Sequence, residues 1–354
     1  MSEQTTEQRP RSNREDHVEP LRSTGPRPRL GFLGVGWIGL HRLEAIAAAE
    51  CADITALADA NVDLAIRSAA KFPGAVPTDS LETLLRMDLD GIVIATPTAL
   101  HARQAVRALE SGIAVFCQKP IGPTKMETEE VIAAARRAGR LLGVDMSYRF
   151  MRGVKKIKAL LEREAIGRVY ALDLVFHNAY GPDKPWYYDR TLAGGGCVID
   201  LGIHLVDLAL WFLDDPGVAR VSSRLFAQGS PIKGSGPALE DYAVARVDFE
   251  NGAVASLACS WRLPAGQDAV IRGSIYGTRG GLAFENVNGS FFDFRTEQFN
   301  GTTRSVLDEP PDSWGGRAAV AWVEQLCKSA AYDPEIERAG AVAAILDAIY
   351  GRKL

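Results

Sequence analysis

This 354-residue chain has no stretch rich in lysine or arginine, and its 40 Lys plus Arg are nearly matched by 44 Asp plus Glu, for a formal net charge of −4. The electrostatic footprint of a nucleic-acid-binding protein is therefore missing. Five cysteines (Cys51, Cys117, Cys197, Cys259, Cys327) lie far apart without a CxxC pair. They are expected to be reduced thiols in a cytoplasmic protein. Histidine is scarce, and His17, His41, His101, His177 and His204 show no ligand spacing, so no metal is expected. No run approaches the ~20 apolar residues that a spanning helix needs, and no membrane partner is expected. What is present is an ordinary globular balance of 47% apolar, 8% aromatic and 24% charged residues. At roughly 150 residues per domain, the length suggests about two domains.

Residues 1–28 stand apart. Arg9, Arg11, Arg14, Arg22 and Arg27 are offset by Glu3, Glu7, Glu15, Asp16 and Glu19, and the only large aliphatics are Met1, Val18 and Leu21. Such a segment buries too little to offset its ordering entropy, so a disordered tail is expected. A targeting signal is not, because no apolar region follows the arginines.

From Arg29 the pattern changes. The apolar run Leu30–Leu33 leads into Gly34-Val35-Gly36-Trp37-Ile38-Gly39, then an Ala-rich stretch with Leu40, Leu43, Ile46 and Ala47 at helical spacing. A second apolar run, Ile54–Ala58, ends at Asp59, 20 residues after Gly39. In that setting Gly34 permits a tight turn, Gly36 lets the backbone approach a pyrophosphate, and Gly39 lets the helix pack close to the sheet. The helix N-terminus offers free N–H groups to the phosphates. Asp59 would accept hydrogen bonds from both ribose hydroxyls and repel a 2′-phosphate, which favours NAD over NADP.

Further strands are expected at 90–95, 113–117 and 141–144, with helices between them, giving a doubly wound parallel sheet over 29–147. Ligands bind past the carboxyl ends of such strands, where Asp59, Thr96-Pro97-Thr98, Gln118-Lys119-Pro120 and Tyr148-Arg149 lie. Residues 148–354 read differently. A helix at about 154–164, a β-rich run at 169–177 and the glycine triplet Gly194–Gly196 are followed by an apolar helix through Leu213. Strand-like runs at 218–227, 241–249, 253–262, 268–276 and 281–295 with short turns imply a large, mostly antiparallel open sheet. Two helices, at roughly 315–330 and 336–350, close the chain. On the apolar helix, Asp200 and His204 are four residues apart and can share a face, so that the carboxylate orients the imidazole and raises its basicity. A buried histidine satisfied by Asp200 or Asp207 is the plainer reading of the same residues.

Taken together, GFLGVGWIG, LADAN, IATPTALH, the Lys-Pro step, SYRF and GGGCVIDLGIHLVDLALWFL resemble the Gfo/Idh/MocA family, from about Arg29 to the C-terminus. The resemblance implies an α/β protein: an N-terminal Rossmann sheet followed by an α+β domain that binds substrate and builds a homodimer or homotetramer. It implies NAD-dependent hydride transfer with a secondary alcohol or ketone of a sugar, cyclitol or related polyol. Lys119, Asp200 and His204 match the family's reactive lysine, aspartate and histidine. The cofactor would lie along Gly34, Gly36, Trp37, Ile38, Gly39, Asp59, Thr96, Pro97, Thr98, His101, Gln118 and Lys119, and the substrate along Lys119, Arg149, Tyr180, Trp186, Asp200 and His204. One departure stands out: the family's Glu-Lys-Pro step has Gln118 in the glutamate's place, which removes a negative charge beside Lys119. Two other activities fit the same motifs, a glycoside-cleaving enzyme with transient oxidation and a cofactor-binding regulator without turnover.

Overall fold

The computed structural model describes residues 27–233 and 236–353. The expected tail therefore lies outside the described residues except for its last two positions.

Six strands, β1 (Arg29–Leu33), β2 (Asp53–Ala58), β3 (Val76–Thr78), β4 (Gly91–Ile94), β5 (Ala114–Cys117) and β6 (Leu142–Val144), form a parallel sheet in the order β3-β2-β1-β4-β5-β6. Helices α1 (Trp37–Ala48), α2 (Val62–Ala69), α3 (Leu81–Leu84), α4 (Thr98–Glu110) and α5 (Lys125–Ala138) make the connections. β4 and β5 are buried along their whole length, as continuous apolar runs in a doubly covered sheet must be. The order reverses between β1 and β4, which opens a crevice at their carboxyl ends. Sequence patterning passes straight from Asp59 to Asp90, whereas α2, β3 and α3 occupy that interval. Val76 and Pro77 of this edge strand are exposed, so no apolar run announces it.

The second sheet begins after α6 (Arg152–Glu162) with β7 (Val169–Asn178). A short helix α7 (Arg190–Ala193) and the buried α8 (Ile203–Leu213) precede β8 (Val218–Ala227), β9 (Ser230–Ile232), β10 (Tyr242–Phe249) and β11 (Val254–Ser260). Then follow β12 (Ala269–Gly277), β13 (Gly280–Asn286), β14 (Phe294–Asn300) and β15 (Thr303–Asp308). The nine strands run β15-β14-β13-β12-β7-β11-β10-β8-β9, antiparallel throughout except where β7 pairs with β11. The expected single strand at 281–295 is two, because Asn288 (φ 51°) and Gly289 (φ 73°) turn the chain between them. An Asn-Gly step between apolar runs is a hairpin signal, and here it divides the run.

Two further differences bear on the site. The helical stretch Arg190–Leu213 is long and apolar enough to cross a bilayer, contrary to the expectation that no segment would be, but 83% of its most apolar window is buried within the fold. Helix α9 (Arg317–Lys328), read from sequence as part of the second domain, packs instead on the first sheet. Trp322 lies 5.7 Å from Phe116, centroid to centroid, and a Cβ at Gly91 or Gly143 would meet its ring at 2.6 or 2.5 Å. Helix α10 (Arg338–Ile349) then returns to the second core through Val342, Ile345, Leu346 and Ile349. The two domains are thus tied by a chain that passes between them more than once, and the cleft lies where they meet.

Candidate active site

The glycine loop after β1 is shaped as a cradle. Gly34 has φ +90°, and a Cβ there would lie 2.6 Å from the Ala95 carbonyl oxygen; a Cβ at Gly39 would lie 2.0 Å from the Gly34 oxygen. At Gly36 a Cβ would meet nothing within 4 Å, so it would project into open space in front of α1. That helix starts without a side-chain cap, leaving its first N–H groups for an anion. Asp59 accepts the Val35 N–H through Oδ2 and the Asn61 N–H through Oδ1, both at 2.9 Å. Asn61, not Asp59, caps α2, so Asp59 is fixed to the rim of the cradle with lone pairs to spare. These residues fit a dinucleotide: the turn, the open approach and the acid are all present.

The cradle opens into a cleft of about 980 Å³ between the domains. Gly34, Gly36, Trp37, Ile38, Asp59, Thr96, Pro97, Thr98, His101, Gln118 and Lys119 line it, and Gly39 lies buried behind the loop. His101 is held from both sides, Nδ1 2.7 Å from the Pro120 carbonyl and Nε2 2.7 Å from that of Thr96. Burial lowers its pKa. It joins the loop after β4 to the loop after β5, and so it supports Lys119 more directly than it faces a ligand.

Deeper in the cleft the two domains meet through charge. Lys119 Nζ donates to Asp200 Oδ1 at 2.9 Å and to the Asp200 carbonyl at 2.5 Å. Trp261 Nε1 donates to Asp200 Oδ2 at 3.0 Å. Asp200 belongs to a π-helical turn, Val198–Gly202, rather than to a regular α-helix. The expected Asp200–His204 contact presumes α-helical stacking, and it is absent among the described residues: the carboxylate is taken by Lys119 and Trp261. Nor does Asp207 satisfy the imidazole, because Arg149 claims it through Nε at 2.8 Å and through Nη2. His204 is 8% exposed, its ring lies 4.7 Å from that of Tyr148, and its Nδ1 is buried without a partner. Burial, then the charges of Lys119 and Arg42, hold its pKa well below the usual histidine range.

Two residues expected at the substrate are elsewhere. Arg149 is committed to Asp207 and lies over the Trp211 ring at 5.7 Å, outside the cleft lining. Tyr180 is exposed, and its hydroxyl donates to Asp268. Trp186 does line the cleft, stacked on Tyr187 with ring centroids 3.8 Å apart. Sequence reasoning missed Arg42, Asp145, Ser147 and Trp314, which line the cleft as well, and Trp261 behind it. For Asp145 the signal is its position: it is the first residue past β6, four residues before Arg149. It also missed Glu240, whose Oε1 accepts the Gly196 and Val198 N–H groups at 2.8 and 3.1 Å and the Tyr350 hydroxyl at 2.6 Å. That carboxylate holds the turn that presents Asp200.

Comparisons with known proteins identify the family and the fold. Residues 29–146 match the family model described as an oxidoreductase family, NAD-binding Rossmann fold, and residues 154–283 match the GFO/IDH/MocA C-terminal domain. The chain is 29% identical over 274 residues to an uncharacterized oxidoreductase, YrbE, of Bacillus subtilis, covering 76% of this chain and 77% of the relative. It is 27% identical over 240 residues to a D-glucoside 3-dehydrogenase of Escherichia coli, covering 65% of this chain and 68% of the relative. A levoglucosan dehydrogenase solved with NADH and levoglucosan shares the fold, with a TM-score of 0.78 at 23% identity, over 92% of this chain and 96% of that one.

The glycine geometry separates binding from stability. Gly36→Val is expected to abolish dinucleotide binding while leaving the Tm close to wild type, because its side chain enters open space. Gly39→Ala is expected to lower the Tm, because its Cβ meets backbone. Calorimetric titration and thermal melting of the same samples read both; a Gly36→Val protein that binds NAD like wild type would place the cradle elsewhere.

Proposed function

The chain belongs to the Gfo/Idh/MocA family of oxidoreductases, and we propose that it transfers a hydride between NAD and a secondary alcohol carbon of a sugar glycoside or related polyol. The observation that carries this reading is the Lys119–Asp200 pair and the buried His204 in the same cleft as the glycine cradle. Bound in that cradle, the dinucleotide would supply the hydride acceptor at its nicotinamide ring. The chain supplies position and proton management.

Lys119 is the electrophilic group. Its ammonium, fixed by Asp200, donates a hydrogen bond to the reacting oxygen and stabilises the charge that develops there. His204 receives the hydroxyl proton. With Nδ1 buried, Nε2 is the nitrogen available to the cleft, and a lowered pKa keeps the ring neutral and ready to accept. The same depression means that the imidazolium does not persist: His204 releases the proton from Nε2 to bulk water through the cleft. Asp200 acts through Lys119 and not through His204. The stacked pair of Trp186 and Tyr187 offers an apolar platform for the C–H face of a sugar ring. The D-glucoside 3-dehydrogenase relative supports a glycoside as the first substrate class to test.

A panel of glycosides, free sugars and cyclitols with NAD, followed by absorbance of the reduced cofactor, tests the activity. Cleavage of a glycoside without net reduction of NAD would instead indicate transient oxidation, and binding without turnover a regulator. On an oxidised substrate, His204→Ala and Lys119→Ala should each lower kcat by about two to four orders of magnitude, the usual share of a positioned proton-transfer group. Because the His204 pKa is lowered, acidification converts it to imidazolium only below the ordinary histidine range. The oxidation rate should stay level through that range and fall beneath it; a wild-type acid limb at or above the ordinary histidine pKa would reject His204 as the proton acceptor.

The NAD preference belongs to the same reading and is supported by Asp59 at the cradle rim. Asp59→Ala should narrow the affinity gap between NAD and NADP, and equal affinities in the unaltered protein would sink the assignment. The outer face of the second sheet carries Tyr242, Val244, Val254 and Tyr276 at half-buried positions among charged neighbours such as Arg246 and Arg272. We assign that face to a second copy of the chain. Analytical sedimentation at micromolar concentration should give a dimer or tetramer, and a single monomeric species would refute this.

A further inference from the structure

Behind Gln118 lies a buried polar cluster centred on Asp145, apart from the Lys119–Asp200 pair. Asp145 is 1% exposed. Its Oδ2 accepts hydrogen bonds from Arg42 Nε and Gln118 Nε2, and its Oδ1 accepts from Ser147 Oγ. Arg42 Nη2 donates to the same Ser147 oxygen at 3.1 Å, and Nη1 lies 2.9 Å from His41 Nδ1. This guanidinium sits on α1, three residues after the last glycine of the loop, yet it is committed to Asp145 and not turned toward the cradle. One anion faces one cation, so the cluster brings no net charge to Lys119.

An ionised carboxylate can only accept hydrogen bonds. The end of the Gln118 amide that meets Asp145 is therefore the NH2 group, and the carbonyl is left on the other side. Among the described residues no donor reaches that Oε1. It is also absent from the buried polar atoms sealed without a partner, while Gln118 itself lines the cleft. A glutamine with neutral neighbours can turn either end outward; this one is held as an acceptor. Its place, directly past β5 and beside Lys119, puts that acceptor on the same sheet edge as Gly34 and Thr96.

We propose that Asp145, secured by Arg42 and Ser147, is a positioning residue that locks Gln118 as a hydrogen-bond acceptor for a ribose hydroxyl of the bound dinucleotide. The inference rests on the dinucleotide reading. It accounts for a neutral residue doing an acceptor's work: the negative charge sits one layer back, where Arg42 balances it. Gln118→Glu would set two buried carboxylates in contact, which disfavours both being ionised. Asp145→Asn would remove the constraint on the amide and leave the Arg42 guanidinium without its anion. Together the two substitutions restore one carboxylate, one amide and one guanidinium in the cluster.

The test is a double-mutant cycle read by NAD titration calorimetry and by the Tm of the protein without ligand. Each single substitution should weaken NAD binding by about tenfold, the scale of one net hydrogen bond, and lower the Tm. The combination Gln118→Glu with Asp145→Asn should recover both, ending above either single variant. A folded Asp145→Asn protein with wild-type NAD affinity overturns the proposal, and so does a double variant whose losses simply add. A purely structural Asp145 would lower the Tm and leave the affinity of folded protein unchanged. Wild-type protein that binds no NAD would overturn the dinucleotide reading together with this one, whereas unchanged affinity in the variants overturns this one alone.

Discussion

The ion pair between Lys119 and Asp200 joins the two halves of the molecule at the place where chemistry is proposed. Its partners come from the end of β5 and from the π turn before α8, 81 residues apart in the chain. Both side chains are under 20% exposed. At that depth the Coulomb attraction is largely offset by desolvation, so the pair is a poor source of stability and must be held by its surroundings. The surroundings do hold it. His101 ties the Lys-Pro loop to the loop after β4, Trp261 donates to the far oxygen of Asp200, and Glu240 anchors the turn from below. The glycine triplet becomes intelligible in that light: a Cβ at Gly196 would lie 2.0 Å from the Glu240 carbonyl, so the turn can reach its anchor only without one.

How much of this was legible in the sequence depended on distance along the chain. The cradle was legible because its logic is local: strand, three glycines, helix, strand and acid lie within about one βαβ unit, and spacing alone fixes their roles. Alternating apolar runs gave the first sheet for the same reason, apart from the exposed edge at β3. Lys119, Asp200 and His204 do share one cleft, but the pairing expected from sequence differs from the one the structure shows. Asp200 and His204 are close in sequence, which suggested a contact, while the partners that Asp200 takes, Lys119 and Trp261, are 81 and 61 residues away. Arg149 failed likewise. Its position past β6 was read rightly, but its direction is set by Asp207, 58 residues on. Non-local hydrogen bonds decide where a polar side chain points, and periodicity carries no information about them.

The charges in the cleft are arranged in opposed couples with a neutral ring nearby. Lys119 faces Asp200, Arg42 faces Asp145, and His204 lies close enough to both cations for their fields to depress its pKa after burial has done most of the work. Each cation is thus tethered by its own carboxylate rather than left to pair with an incoming anion. A site built this way suits a reaction in which charge develops and disappears on one oxygen, because the compensating dipoles are in place before the substrate arrives and need not reorganise.

The tether also decides how Lys119 can act. An ammonium group has three N–H donors in a tetrahedral arrangement. Two are spent on Asp200, one on its carboxylate and one on its carbonyl, and the Nζ–carbonyl contact of 2.5 Å is the shorter. A partner that used only the carboxylate would let the ammonium swing about a single bond. Two acceptors from one residue fix its rotation, so the third N–H has one direction left. Because Lys119 lines the cleft, that N–H is the one donor it has left to offer a ligand there. Asp200 therefore serves less as a charge neutraliser than as a two-point clamp, and the π turn that supplies it gives both its carbonyl and its carboxylate to the same side.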